Sequence, residues 1–240
     1  MSTTPKISFI MSRYKELPDV SDMKSILQQM SRYGNECKLI IYDKHEKKQD
    51  TFKLVPNIGR ESYAWFDYVL ETWDNPDDYY VFVHPCSTAE RQDKFIKFVS
   101  LCQNIISSIQ KGETFCTPGE PHMMNANPTY CRKYPHYGNQ GVNSLNLEDV
   151  KKQEFIVTKY DNLGEWWKER TVGLNFFRRC SVHGLSMGKA ENLHSWGKNF
   201  WQEVYNDILD GGANGEIAHF LERTMCSIAA GKQIIENLEA

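Results

Sequence analysis

Residues 55–61 read Val-Pro-Asn-Ile-Gly-Arg-Glu and lie directly ahead of SYAWFDYVLETW, a run with helical apolar spacing. A glycine, a guanidinium and a carboxylate at the opening of a helix suit anion binding. First-turn N–H groups point outward, the helix dipole favours negative charge, and the planar fork of Arg60 fits phosphate. A diphosphate matches that combination. Gly59 gives the turn its freedom, and Asn57 and Glu61 stand where they can bond ribose or sugar hydroxyls. The bland alternative is a helix start with Arg60 and Glu61 solvated or paired to each other.

Other reactive residues fall at the ends of apolar runs. His84-Pro85-Cys86-Ser87 closes YYVFV; an imidazole there can donate to a phosphate or a leaving oxygen, or it can be a buried histidine satisfied by backbone. Asp43 closes CKLIIY, where nucleotide-binding α/β folds place a carboxylate on ribose or base; the alternative is a solvated aspartate beside Lys44. Ser12, Arg13 and Tyr14 close the first apolar run. Near the C-terminus, helical geometry puts Glu216, His219 and Arg223 on one face, with Glu222 at its margin. That set offers a general base and an anion clamp, or a surface ladder of ion pairs. Cys116, His122, Cys131 and His136 lack zinc-site spacing, so no metal site is expected. There is no G-x-x-x-x-G-K-[ST] and no convincing nucleophile elbow. Trp166, Trp167, Trp196 and Trp201 suit either a core or a sugar face.

Positioning these groups falls to an alternation of elements. Strands are expected at 6–12, 37–42 and 79–83. Helices are expected at 22–33 with Ser21 as N-cap, over the run after the glycine turn, and at 88–110. Strand–helix alternation of this kind folds as a mostly parallel, doubly wound α/β sheet, with ligands outside the carboxyl ends of its strands. Residues 112–141 read as a loop-rich insert. A charged helical piece is expected within 147–170 and a candidate strand at 175–183. Helices follow around 200–209, ended by Gly211-Gly212, and over 215–238.

The chain has 240 residues, enough for one large domain, and a net charge of −3. No surplus of positive charge points to a nucleic-acid partner. Seven scattered cysteines without a C-x-x-C pair suggest reduced thiols and a cytoplasmic location. No apolar window is long enough for a transmembrane segment, and no secretory leader is evident.

The ordered set SRY near residue 12, IYDK at 41–44, PNIGRES at 56–62, VFVHP at 81–85 and EIAHFLER at 216–223 resembles an uncharacterised family of fungi, algae and large viruses. That family carries P-N-x-G-R-E-S and G-H-x-x-E-R signatures. The chain is also distantly similar to rhamnan-synthesis-type glycosyltransferases. The resemblance covers most of the chain outside about 112–165. It implies a single GT-A-like (Rossmann-like) domain over 1–240, with a nucleotide-binding βαβαβα half (1–111) and an acceptor-side half (112–240). It further implies transfer of a sugar from a nucleotide-diphosphate sugar to a glycan or glycoprotein acceptor. The donor would be held by Ser12, Arg13, Tyr14, Asp43, Asn57, Gly59, Arg60, Glu61, His84 and Arg223, with Glu216, His219 or Glu222 as base. Such enzymes usually carry a D-x-D metal motif where this chain has His84-Pro85-Cys86. Magnesium or manganese therefore stays open, and no other cofactor is expected. Two alternatives remain: a non-catalytic nucleotide- or carbohydrate-binding module, and a metal-assisted hydrolase.

Overall fold

Short apolar runs, buried on both faces, build the centre of the molecule. The computed structural model describes residues 4–13, 20–48, 50–84, 92–118, 122–124, 159–160, 163–172, 174, 176–178, 185–212 and 215–239. Its strands are β1 (Lys6–Arg13), β2 (Glu36–Asp43), β3 (Lys53–Leu54), β4 (Tyr79–Phe82), β5 (Phe115–Cys116), β6 (His122–Met124), β7 (Phe176–Arg178) and β8 (Ser186–Lys189). Its helices are α1 (Ser21–Ser31), α2 (Ser62–Glu71), α3 (Gln92–Lys111), α4 (Leu163–Thr171), α5 (Ala190–His194), α6 (Lys198–Gly211), α7 (Glu216–Ala230) and α8 (Lys232–Glu239). The main sheet has the order β3-β2-β1-β4-β8-β5, and β6 pairs with β7 in a second, two-stranded sheet.

The first four strands run parallel, as expected from the alternation of elements. From β1 the chain moves outward to β2 and β3, then returns across β1 to form β4. The order of the strands therefore reverses between β1 and β4, which is where α/β sheets open a crevice at their carboxyl edge. Beyond β4 the sheet is antiparallel, because β8 inserts between β4 and β5. Strand β8 (SMGK) has no β-branched or aromatic residue, and β3 is two residues long, so neither carries a sequence signal. Since β5 and β8 extend the sheet begun by β1–β4, the two expected halves share one sheet.

Side chains of successive strand residues point to opposite faces. Ile7, Phe9, Met11, Ile41, Tyr79, Val81 and Val83 pack with α1 and α3 residues such as Met23, Leu27, Phe98 and Ile105. Ile10, Ile40, Tyr42, Tyr80 and Phe82 pack on the other face with α2, α4, α6 and α7. The four tryptophans of ambiguous purpose belong to that second core. Three of their indole N–H groups are used internally: Trp166 donates to Asp207, Trp196 to the Ile228 carbonyl and Trp201 to the Leu193 carbonyl. Asp67 of α2 accepts from Tyr42, Lys53 and Tyr205, tying α2 to the sheet edge and to α6.

Several local expectations are corrected. Helix α1 starts at Ser21 itself, with Val20 at the cap position and no side-chain cap. The start of the expected 88–110 helix lies partly outside the described residues. The last helix is broken at Gly231, whose φ is +88° and whose added Cβ would lie 2.8 Å from the Asn192 carbonyl oxygen. That close approach to α5 ends α7 and redirects α8. Cys37, Cys102 and Cys116 are free thiols, but Cys226 in α7 is disulfide-bonded. The expectation of reduced thiols therefore does not hold for Cys226. Among the described residues, no helix is long and apolar enough to cross a membrane.

Candidate functional site

The glycine turn is held from both sides. Gly59 has φ +59° and Arg60 φ +49°, so two successive residues are left-handed. For arginine this is an uncommon and costly state that its surroundings must enforce. They do so through the Arg60 carbonyl, which accepts from the Ser12 hydroxyl at 3.4 Å and from the Lys44 ammonium. Lys44 also donates to the Ile58 carbonyl. The Gly59 N–H donates to the Gly212 carbonyl at 2.8 Å, pinning the turn to the end of α6. Gly59 must stay glycine: an added Cβ would sit 2.1 Å from Ile208 Cγ2. The first-turn amides of Tyr63, Ala64 and Trp65 donate to the Gly59 and Glu61 carbonyls. Positive charge here thus comes from Arg60 and Lys44, and not from bare helix amides as the sequence suggested.

Glu61 does not cap α2; it turns inward. Its Oε1 lies 3.5 Å from His84 Nε2, a contact without hydrogen-bond geometry, and this oxygen is buried with no hydrogen-bond partner. Glu222 of α7 meets Arg60 Nη1 at 3.4 Å, and Arg60 Nε lies 3.9 Å from Glu61 Oε2. One ligand atom from each of Glu61, His84 and Glu222 falls within 4.8 Å of the other two. Glu61 and His84 are almost fully buried, whereas the Arg60 side chain is 37% exposed. The cluster is therefore closed on the protein side and reaches solvent through Arg60.

Burial pushes the Glu61 carboxyl above its ordinary range; His84 and Arg60 pull it down, and the Glu222 carboxylate pushes it up again. Two carboxylates this close in a water-poor site can both stay ionised only with a compensating cation. Burial also lowers the Lys44 ammonium, to about 7, with Glu61 opposing the shift and Arg60 adding to it. Among these residues Lys44 is the one the sequence argument passed over, naming it only as a neighbour of Asp43. Strand parity would have found it. Ser12, Lys44 and His84 continue the face of Ile10, Tyr42 and Phe82, which is the face α2 covers.

The same parity sends Arg13 and Asp43 to the opposite face. Arg13 Nε and Nη2 donate to the two Asp43 oxygens at 2.6 and 2.7 Å, and Nη2 also meets Asp50 at 2.7 Å. Burial alone would raise Asp43; Arg13 and the Thr51 hydroxyl outweigh it and hold the carboxyl below its usual value. Both Asp43 oxygens are engaged and the residue is 1% exposed, so it is a structural acid here and not a free ribose ligand. Glu61 is likewise too deeply buried to reach a sugar hydroxyl. Asn57 is exposed on the turn, and Arg223 is half-buried beside Glu222. Tyr14 lies outside the described residues, as do the side chains of Glu216 and His219, although the backbone of both belongs to α7. The structure thus brings together Ser12, Gly59, Arg60, Glu61, His84 and Glu222 with Lys44, and places Arg13 and Asp43 on the opposite face, paired with each other.

Comparison with known proteins finds no matching family model, no matching curated protein and no matching solved structure.

Proposed function

We propose that the protein is a glycosyltransferase using a nucleotide-diphosphate sugar, with the diphosphate bound at the carboxyl edge of β1 and β4. The observation that carries this reading is the meeting of Arg60 and His84 around Glu61 at the point where strand order reverses. Anionic ligands of open α/β sheets are bound at such points. The distant similarity to rhamnan-synthesis-type glycosyltransferases supports the same reading; the fold class alone does not, because this architecture serves many chemistries.

In this account Arg60 turns from Glu222 toward the diphosphate, where a guanidinium can pair two phosphate oxygens at once. Lys44 and Ser12 keep the turn in register, so the charge is aimed before the donor arrives. An acceptor hydroxyl attacks the anomeric carbon, its proton passes to a base on α7, and the bond from that carbon to the diphosphate oxygen breaks. Glu216, His219 and Glu222 are the base candidates.

Calorimetry against a panel of nucleoside-diphosphate sugars tests the reading. One of them should bind, and Arg60→Ala should weaken it by about 1.5–3 kcal/mol, the range for hydrogen bonds to charged groups. Among Glu216→Gln, His219→Ala and Glu222→Gln, the true base should lose turnover and keep donor affinity. Binding without hydrolysis or transfer across a broad acceptor panel would instead make the protein a binding module. Absence of any binder would remove both.

A further inference from the structure

We infer that Glu61, His84 and Glu222 form a site for one divalent transition-metal ion. Their ligand atoms lie within 4.8 Å of one another. Around an ion with ligands at about 2.1 Å, neighbouring ligand atoms sit roughly 3–3.5 Å apart and opposite ones about 4.2 Å. The Glu61–His84 separation of 3.5 Å already fits. Three protein ligands with one side open is the pattern of reactive metal sites rather than closed structural ones.

A second observation is independent of ligand count. Glu61 Oε1 is buried, belongs to a residue 2% exposed, and has no hydrogen-bond partner among the described residues. Leaving such a group unsatisfied is costly, and a cation at the centre of the cluster would satisfy it. The scaffold is also rigid. Glu61 follows a turn locked by Ser12, Lys44 and Gly212; His84 extends the central strand β4; Glu222 lies mid-helix in α7. These are three separate elements, unlike a strand-end D-x-D pair.

Ligand chemistry narrows the ion. One imidazole with two carboxylates suits manganese, iron or zinc better than magnesium or calcium, which prefer all-oxygen shells. Two carboxylates neutralise the ion's charge. Arg60, now 3.4 Å from Glu222, is the cation the metal would displace toward solvent. Arg60 therefore competes with the metal, and its removal should favour the ion.

The inference does not depend on the transferase reading, and its test uses metal alone. Full-length protein is stripped with a chelator and titrated with Mn²⁺, Zn²⁺ and Mg²⁺, following bound metal by elemental analysis and, for Mn²⁺, by the loss of its free-ion resonance. We expect one Mn²⁺ or Zn²⁺ per chain and Mg²⁺ at least tenfold weaker. Glu61→Gln, His84→Gln and Glu222→Gln should each weaken binding at least tenfold, the scale seen when metal sites are perturbed. Arg60→Ala keeps all three ligands and should bind the ion more tightly, a gain that a purely structural cluster would not give. No saturable binding by the wild type at millimolar metal overturns the site. Binding that all four variants leave unchanged overturns it equally.

Discussion

Replacing Gly59 by alanine probes the turn on which the site is built. Two costs add. A left-handed alanine loses about 1 kcal/mol relative to glycine. The new methyl would start 2.1 Å from Ile208 Cγ2 and 3.5 Å from Tyr63 Cβ, where carbon pairs rest at roughly 3.5–4.0 Å. Ile208 is 1% exposed and branched at Cβ, so its methyl cannot swing aside; overpacking of this kind costs about 1–3 kcal/mol. The expected loss for Gly59→Ala is thus about 2–4 kcal/mol, a large part of the ~5–15 kcal/mol that holds a domain folded. Ile208→Leu moves the branch one carbon outward at constant volume and should cost under about 1.5 kcal/mol alone. In the double variant the steric part should return and the backbone part should not, giving a coupling of about 1–3 kcal/mol. Urea unfolding measures all three, with the midpoint shifting and the slope unchanged. If Gly59→Ala is as stable as the wild type, or Ile208→Leu gives it no relief, the described contact between turn and α6 is wrong.

Other expectations follow from the same geometry. Asp43→Asn breaks a buried pair and should cost about 3 kcal/mol, with Asp50 still facing Arg13. Asp43 and Asp50 are both depressed in the folded state, Asp50 to about 2 from an ordinary 3.8. Their contribution is complete above the ordinary value and is lost as pH falls toward 2, so thermal melts of the wild type should decline across that window and those of Asp43→Asn should decline less. Lys44→Met removes the ammonium that donates to the Ile58 and Arg60 carbonyls and should cost about 1–3 kcal/mol, read by the same urea unfolding; a variant as stable as the wild type would mean the lock is dispensable. Thiol titration of denatured, unreduced protein should find at least two fewer reactive thiols than after reduction, because Cys226 is bonded; equal counts would refute the disulfide.

What could be read from the chain was local. The short apolar runs in KISFIMS, CKLIIY and YYVFV mark three strands, and the spacing after the glycine turn marks α2, because both signals lie within a few residues. What could not be read depends on distant partners. SMGK becomes β8 because it lies against β4, not through its own preferences. Gly231 breaks the last helix because α5 approaches it. Arg13 and Asp43 look like ligands until the sheet sets them side by side on the α1 face, in register across β1 and β2. Lys44 was legible through parity alone: it stands two residues beyond Tyr42, which packs under α2. Glu222 was named as a base candidate, but only the packing of α7 against α2 brings it to Glu61 and Arg60.

The most direct test is a crystal of the protein soaked with a uridine or deoxythymidine diphosphate sugar. The account predicts the diphosphate at the carboxyl edge of β1 and β4, within hydrogen-bond distance of the Arg60 guanidinium, with Arg60 released from Glu222. A donor bound elsewhere, or bound with Arg60 still on Glu222 and distant from phosphate, would contradict it.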